Sequence, residues 1–439
     1  MAKVAIIGAS VAGLTAAVKL KQLGLDVTIF EKKRSVGGLF SKIDTPFGLC
    51  ELGMHVLYVT NEQHKLLADI FGKENFIEQK GVNTDIGGCF NRTLFVDSIY
   101  PDLRGNSSLH VIMQDLLDSE KRIENVSNCL SELHQRFGQT GADVISPILE
   151  KLWKFPVENL TPESIHCYFD LRRLVVADKT RSDEMKKDPR LNELVANPLQ
   201  LQPAGEVFNG RKALFFSSRS MIITEDVAKS ISGLGINLVL NSDIKLFNSS
   251  LYNGSELIKD NFDACIIASP LNTLQQDLAD ALDNVELSIF YFKVDRSHCR
   301  PIDDYYIVCH DPHLHSTRIV NYSAYNFEKL KHLNDIIAVE VIHPVHHKPD
   351  SAIISNELML VISGMTVIDS YELPLSLKVP IPSLTNARLL DLEVSAIRKN
   401  FEDKPLFFAG MRTDKGVFFS HHTIGAAYDA ALECASKLS

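Results

Sequence analysis

The first 31 residues restrict the fold of this chain more than any other segment. Lys3-Val-Ala-Ile-Ile7 is an unbroken apolar run of strand length, the pattern of a parallel strand buried on both faces. Gly8-Ala9-Ser10-Val11-Ala12-Gly13 follows at once and passes into a helix-like run over residues 11–23. Asp26-Val-Thr-Ile-Phe30 then reads as a second strand, closed by Glu31. Strand, glycine-rich turn, helix, strand and acid form the order of a dinucleotide-binding βαβ unit. Its turn and helix N-terminus receive a pyrophosphate, and its carboxylate accepts ribose hydroxyls.

The turn fits Gly-x-Gly-x-x-Gly with Ser10 at the middle glycine. Gly8 supplies the tight turn, and Gly13 allows the helix to approach the strand closely. Position 10 has to be small because the pyrophosphate lies against the backbone; a serine hydroxyl can also donate to a phosphate oxygen. An N-cap in an unrelated α/β fold would account for the turn alone, but not for the strand before it and Glu31 after it.

At 439 residues the chain exceeds what one core serves, so two packed domains are expected. The net charge of -10 has no Lys/Arg run within it, which argues against nucleic acid or an anionic membrane as the main partner. The eight cysteines form no Cys-x-x-Cys pair, so reduced thiols are expected rather than zinc or a redox disulfide. No stretch reaches about 18 uninterrupted apolar residues, and no charged leader precedes Val4. The expectation is a cytoplasmic protein without integral membrane association, acting on a small-molecule substrate, its oligomeric state left open.

Further along, helical patterns occupy residues 61–72, 108–122 and 222–232. Residues 126–200 read as mainly helical, punctuated by Pro147, Pro156 and Pro162. Strands are expected at 236–240, 264–268, 285–294, 336–342 and 406–409, and a last helix from about Thr423. The fold class is α/β: a discontinuous Rossmann-like domain with an inserted α+β substrate domain. Its parts are residues 1–85, 206–275 and 396–439 for the cofactor domain, 86–205 for a helical segment and 276–395 for an antiparallel sheet.

Arg34-Ser-Val-Gly37-Gly38-Leu39, just after Glu31, resembles the second signature of a large FAD family. That family includes amine oxidases, protoporphyrinogen oxidase, phytoene desaturases and UDP-galactopyranose mutase. The resemblance implies FAD as cofactor, held by Gly8, Ser10, Val11, Ala12, Gly13, Glu31, Lys32, Gly37, Gly38 and Leu39. Residues 51–58 resemble the histidine loop of the mutases, which implies His55 against the isoalloxazine. Residues 147–160 resemble a helical substrate-domain segment, and 236–244 a strand whose last apolar residue, Ile244, meets adenine. Residues 262–270, with Ala268, resemble the strand that follows. Leu406–Gly410 and Thr423–Ala431 are similar to the segments that hold the rest of the flavin, which implies Gly410, Thr423, Ile424 and Ala426 as contacts. The pattern departs at Gly410-Met411-Arg412, where mutases place arginine directly after the glycine. It departs again at Phe418-Phe419-Ser420-His421-His422, where they carry an acidic run.

His55, His421 and His422 are the acid–base candidates, since histidine titrates near neutral pH; the plainer reading is a satisfied loop pair, or one core and one solvated histidine, for His421 and His422, and packing against the flavin for His55. No carboxylate or cysteine spacing accompanies them, so no metal is expected. Arg172, Arg173, Arg318 and Arg412 are the substrate-binding candidates, as forked donors for an anion or as ordinary ion pairs. The resemblance then implies an FAD-dependent oxidoreductase that oxidises or desaturates a small polar metabolite or sugar derivative by hydride transfer to flavin N5. The alternatives are a redox-neutral mutase-like isomerase of a sugar nucleotide and a flavin-binding protein without turnover.

Overall fold

The computed structural model describes residues 1–439 except 41, 53–55, 79–86, 96–97, 119–123, 199–210, 217–223, 248–249, 260, 275, 300–301, 326–330, 375 and 402. The apolar runs form a five-stranded, all-parallel sheet. Its spatial order is Asn237–Val239, Asp26–Phe30, Lys3–Ile7, Ala264–Ile267 and Leu406–Phe408. Both faces are covered, which is why the runs do not alternate. Val4 and Ile6 pack with Leu14 and Ala17 of helix Val11–Gln22 and with Ile424 and Ala427 of the C-terminal helix Ser420–Leu438. Ala5 and Ile7 face the other way, onto Ile267, Ile244 and the residues Leu390 and Ile397 of helix Leu384–Asn400. That helix has no counterpart in the sequence reading, and a boundary at residue 395 cuts through it. Three distant segments thus build one domain, and the chain leaves and re-enters it twice.

The inserted part carries an eight-stranded sheet. Its path is Thr366–Glu372, Asn284–Asp295, Ile336–Pro344, Ser316–Asn321, Tyr306–Cys309, Gly87–Phe90 and Thr93–Phe95, with Leu377–Pro380 also paired to the long strand. All pairs are antiparallel except Tyr306–Cys309 with Gly87–Phe90. Phe290, Phe292 and Val339 pack under helix Ser351–Val361 through Ile354 and Leu358. Ile289, Tyr291, Val320 and Ala338 line the opposite face, toward the parallel sheet's domain. Helices Leu109–Asp118 and Cys129–Trp153 cover the remaining end with a core that includes Ile112, Phe137, Ile148 and Trp153.

Three expectations are corrected. Pro147 does not interrupt its helix but sits inside Cys129–Trp153, where buried Ile145, Ile148 and Leu149 hold the turn it weakens. The break in that helix is at Gly138, with φ 70°, where a Cβ would lie 2.1 Å from the Asp115 carboxylate. Residues 154–178 are turns and short 3-10 segments rather than helix. The last helix starts at Ser420 rather than near Thr423, so His421 and His422 belong to its first turn. No helix among the described residues is long and apolar enough to cross a membrane.

Candidate functional site

In an open parallel sheet the ligand site lies at the carboxyl ends of the strands, where the strand order reverses. Here the reversal falls between Lys3–Ile7 and Ala264–Ile267. Gly8 leaves the first of these with φ +103°, a conformation that favours glycine, and donates to the Phe30 carbonyl at 2.8 Å. A Cβ on Gly13 would lie 1.9 Å from the Gly8 carbonyl oxygen, so helix and turn touch backbone to backbone. Ser10 caps helix Val11–Gln22 but makes no side-chain capping bond, and the first turn, with Val11 and Ala12, carries no acidic residue. The helix end therefore keeps its positive pole and amides available for an anion.

Glu31 closes the second strand. Its Oε2 accepts from the Ala9 amide at 2.7 Å and its Oε1 from the Lys33 amide at 2.8 Å, which leaves each oxygen a lone pair for a hydroxyl. The Gly37 amide donates to the Ala9 carbonyl at 2.9 Å, and Gly38 lies against Ser10, so the second glycine segment folds directly over the turn. Lys32 pairs with Asp243 at 3.3 Å, and Leu39 is exposed. Ile244 is buried one residue beyond Asp243, where the Ser242 amide donates to the Glu31 carbonyl. Across the reversal, Ala268 is buried and the Ser269 hydroxyl oxygen is buried without a hydrogen-bond partner. Ser269 packs backbone to backbone against Gly410, whose Cβ would meet its carbonyl at 2.3 Å. Glycine cradle, open helix end, ribose-type carboxylate and an orphaned hydroxyl together fit a dinucleotide.

The C-terminal helix presents a second open end. Phe419 caps it without a side-chain bond, and the His422 and Thr423 amides are taken up by the Phe419 carbonyl. The Thr423 hydroxyl donates to Ser420, Ile424 is buried and Ala426 is half-buried. The helix starts at Ser420 because His421 packs edge-on against Tyr58 (centroids 5.4 Å) and parallel to Phe419 (5.6 Å), with His422 at 4.2 Å.

From His421 a closed ring of contacts runs across to the sheet of the inserted part. Tyr58, on Val56–Thr60, is hydrogen-bonded to Tyr306. The Arg318 guanidinium lies 5.7 Å from the Tyr306 ring and 5.6 Å from Tyr168. Tyr168 touches Phe418 (5.3 Å), and Phe418 touches Phe419 (5.4 Å), which closes the ring. Glu340, 1% exposed, holds Arg318 at 2.7 Å and accepts from the Tyr168 hydroxyl at 2.5 Å. Burial alone would lower the Arg318 pKa, but Glu340 and the two phenols raise it, so the guanidinium stays charged and its charge is balanced locally. Burial raises the Tyr306 phenol, while Arg318 and then Tyr58 oppose the rise.

Among the four candidate arginines only Arg318 joins this ring. Arg172 forks onto Asp170 at 2.9 and 3.0 Å. Arg173 is buried and donates to the Asn192 carbonyl. Arg412 binds Asp414 and Asp391 at 2.6 and 2.7 Å. The structure therefore brings His421, His422 and Arg318 together and leaves Arg172, Arg173 and Arg412 on partners of their own. His55 lies outside the described residues. Sequence reasoning missed Tyr168, Tyr306 and Glu340; no cluster of His, Cys, Asp and Glu suited to a metal occurs among the described residues.

Residues 6–73, the cradle itself, match the NAD(P)-binding Rossmann-like domain family. Protoporphyrinogen oxidase 2 of Arabidopsis thaliana is 24% identical over 309 residues, 62% of this chain and 58% of that protein, so the match spans less than two thirds of the relative's length. Reduced UDP-galactopyranose mutase superposes with a TM-score of 0.67 at 13% identity, over 100% of this chain and 94% of that one. A protoporphyrinogen oxidase, described as putative, from Exiguobacterium sp. 255-15 gives 0.60 at 13% identity, over 99% of both chains. The chain thus shares its fold with UDP-galactopyranose mutase and with the Exiguobacterium protein, and that fold is built round a Rossmann-like dinucleotide-binding domain.

Proposed function

We propose that the chain binds FAD along the Gly8–Gly38 cradle and works as a flavin-dependent oxidoreductase on a small molecule held inside the Tyr58–Arg318 ring. The carrying observation is that one element, the first turn of helix Ser420–Leu438, both completes the open amide end near the cradle and supplies His421 to the ring. Bound flavin supplies the hydride acceptor; the chain's part is to seat the substrate, exclude water and manage protons. The positive pole at the start of helix Ser420–Leu438 favours negative charge beside it. His421, fixed between Tyr58 and Phe419, is the proton acceptor of this reading.

Purified protein is expected to be yellow and to release FAD on denaturation. Under anaerobic conditions a substrate should bleach the flavin without added reductant, and His421→Asn should slow that bleaching by about 10²-fold or more while FAD content stays unchanged. Bleaching at the wild-type rate in the variant would remove His421 from the chemistry.

The likeness to reduced UDP-galactopyranose mutase supports a second, redox-neutral reading. It needs several arginines round one diphosphate, and Arg172 and Arg412 are engaged by Asp170, Asp414 and Asp391. Turnover of UDP-galactopyranose only after dithionite reduction would favour it over oxidation.

A further inference from the structure

We infer that the Ser269 hydroxyl, buried and without a partner, is the donor for the pyrophosphate of the bound cofactor, which makes Ser269 a cofactor-binding residue that no glycine motif marks. The inference rests on the Gly8–Gly38 cradle being the FAD site proposed above, and it assigns to one side chain of that site the ligand group it meets.

Ser269 stands where the strand order reverses. The Ala268 amide donates to the Ile7 carbonyl at 2.9 Å, so the chain leaves strand Ala264–Ile267 level with Gly8. A Cβ on Gly8 would lie 3.1 Å from the Ser269 nitrogen and 3.3 Å from the Ser269 Cβ. The serine side chain therefore stands over the bare face of the first cradle glycine. Its carbonyl is turned the other way: a Cβ on Gly410 would lie 2.3 Å from the Ser269 carbonyl oxygen, and the Ala409 amide donates to Ile267 at 2.7 Å, which keeps that neighbour in place. Pro270 follows and disfavours helical backbone at Ser269. Carbonyl toward Gly410 and side chain toward Gly8 is thus a fixed arrangement.

The hydroxyl oxygen is buried and finds no hydrogen-bond partner. A hydroxyl left that way is unfavourable, and alanine would serve a purely packed position better. The turn beside it is where a dinucleotide places its pyrophosphate, against Gly8 and the end of helix Val11–Gln22, whose first turn holds no acid. Pyrophosphate oxygens carry no hydrogen, so the serine is the donor, and a charged acceptor makes the bond a strong one. Strand Lys3–Ile7 separates Ser269 from Glu31, so the serine meets the phosphates from the side opposite the ribose carboxylate. The same hydroxyl then destabilises the cofactor-free chain and strengthens its hold on the cofactor, opposite effects that a packing role would not combine.

Ser269→Ala removes the hydroxyl and nothing else. Protein freed of flavin by dialysis is titrated with FAD by calorimetry, and the variant is expected to bind about tenfold or more weakly, the loss of one bond to a charged oxygen. Without flavin the variant should melt at or above the wild-type temperature. Phosphorus NMR of protein-bound FAD should show a pyrophosphate signal displaced in the variant. Equal FAD affinity in the two proteins or unmoved phosphorus signals would overturn the assignment, as would a flavin-free variant that melts below the wild type. Wild-type protein that takes up no FAD removes the cofactor reading and this assignment with it; wild-type protein that binds FAD no more tightly than the variant removes this assignment alone.

Discussion

A Gly13→Val protein is expected to purify without cofactor and to melt below the wild type. The new Cβ would lie 1.9 Å from the Gly8 carbonyl oxygen, a backbone atom fixed by the Gly8 amide bond to Phe30, so relief requires moving the helix off the strand. Overpacking of this kind costs about 1–3 kcal/mol in stability. The effect on binding is larger, because the displaced helix end carries the amides and dipole that face the pyrophosphate. A loss of about 3 kcal/mol or more, above a hundredfold in affinity, is expected. Ser10→Gly is the control: it restores the third glycine, removes only a hydroxyl, and should keep affinity within about tenfold. The ratio of flavin to protein after gel filtration, with added FAD, checks both. Full occupancy in Gly13→Val would mean that the cofactor lies elsewhere.

That prediction was reachable from the sequence because the constraint is local: strand, turn, helix and acid lie within 31 consecutive residues. Burial on both faces makes a parallel strand an unbroken apolar run, so Lys3–Ile7, Asp26–Phe30 and Ala264–Ile267 were legible. The start of the last helix was not, because Phe419 caps it without a side-chain bond and no Ser, Thr, Asp or Asn marks that position. Helix Leu384–Asn400 was missed although Ser383 caps it with a bond to Asn386. The ring round Arg318 left no signature, since Tyr58, Tyr168, Tyr306, Glu340 and His421 meet only through tertiary folding. A usable signal did exist against two of the arginines. Asp170-x-Arg172 and Arg412-x-Asp414 place each guanidinium two residues from a carboxylate, and both pairs form.

The ring also depends on a residue that no functional motif contains. Lys151, 6% exposed in helix Cys129–Trp153, donates to the carbonyls of Cys309, Asp311 and Ser316, each at 2.8 Å. Those carbonyls bracket the loop between the strands of Tyr306 and Arg318, so one ammonium sets how the two strands leave each other. Lys151→Met keeps the stem's bulk and strands three buried acceptors, at roughly 1–3 kcal/mol each. Against that, burial pushes the wild-type Lys151 pKa from 10.5 to about 8, a charge penalty of about 3 kcal/mol that the variant escapes. A net destabilisation of about 2–4 kcal/mol is expected. Denaturant unfolding followed through Trp153, the single tryptophan and itself buried in this core, measures it. The pH dependence gives an independent check. The folded-state value lies below the unfolded one, so the unfolded chain binds more protons between pH 8 and pH 10.5. Wild-type stability should gain from this group as pH rises through that window and lose the gain as pH falls through 8, whereas Lys151→Met should lack it. The difference in unfolding free energy between the two proteins should therefore widen from pH 8 to pH 10.5; a difference that stays flat would show that the ammonium is not held as described.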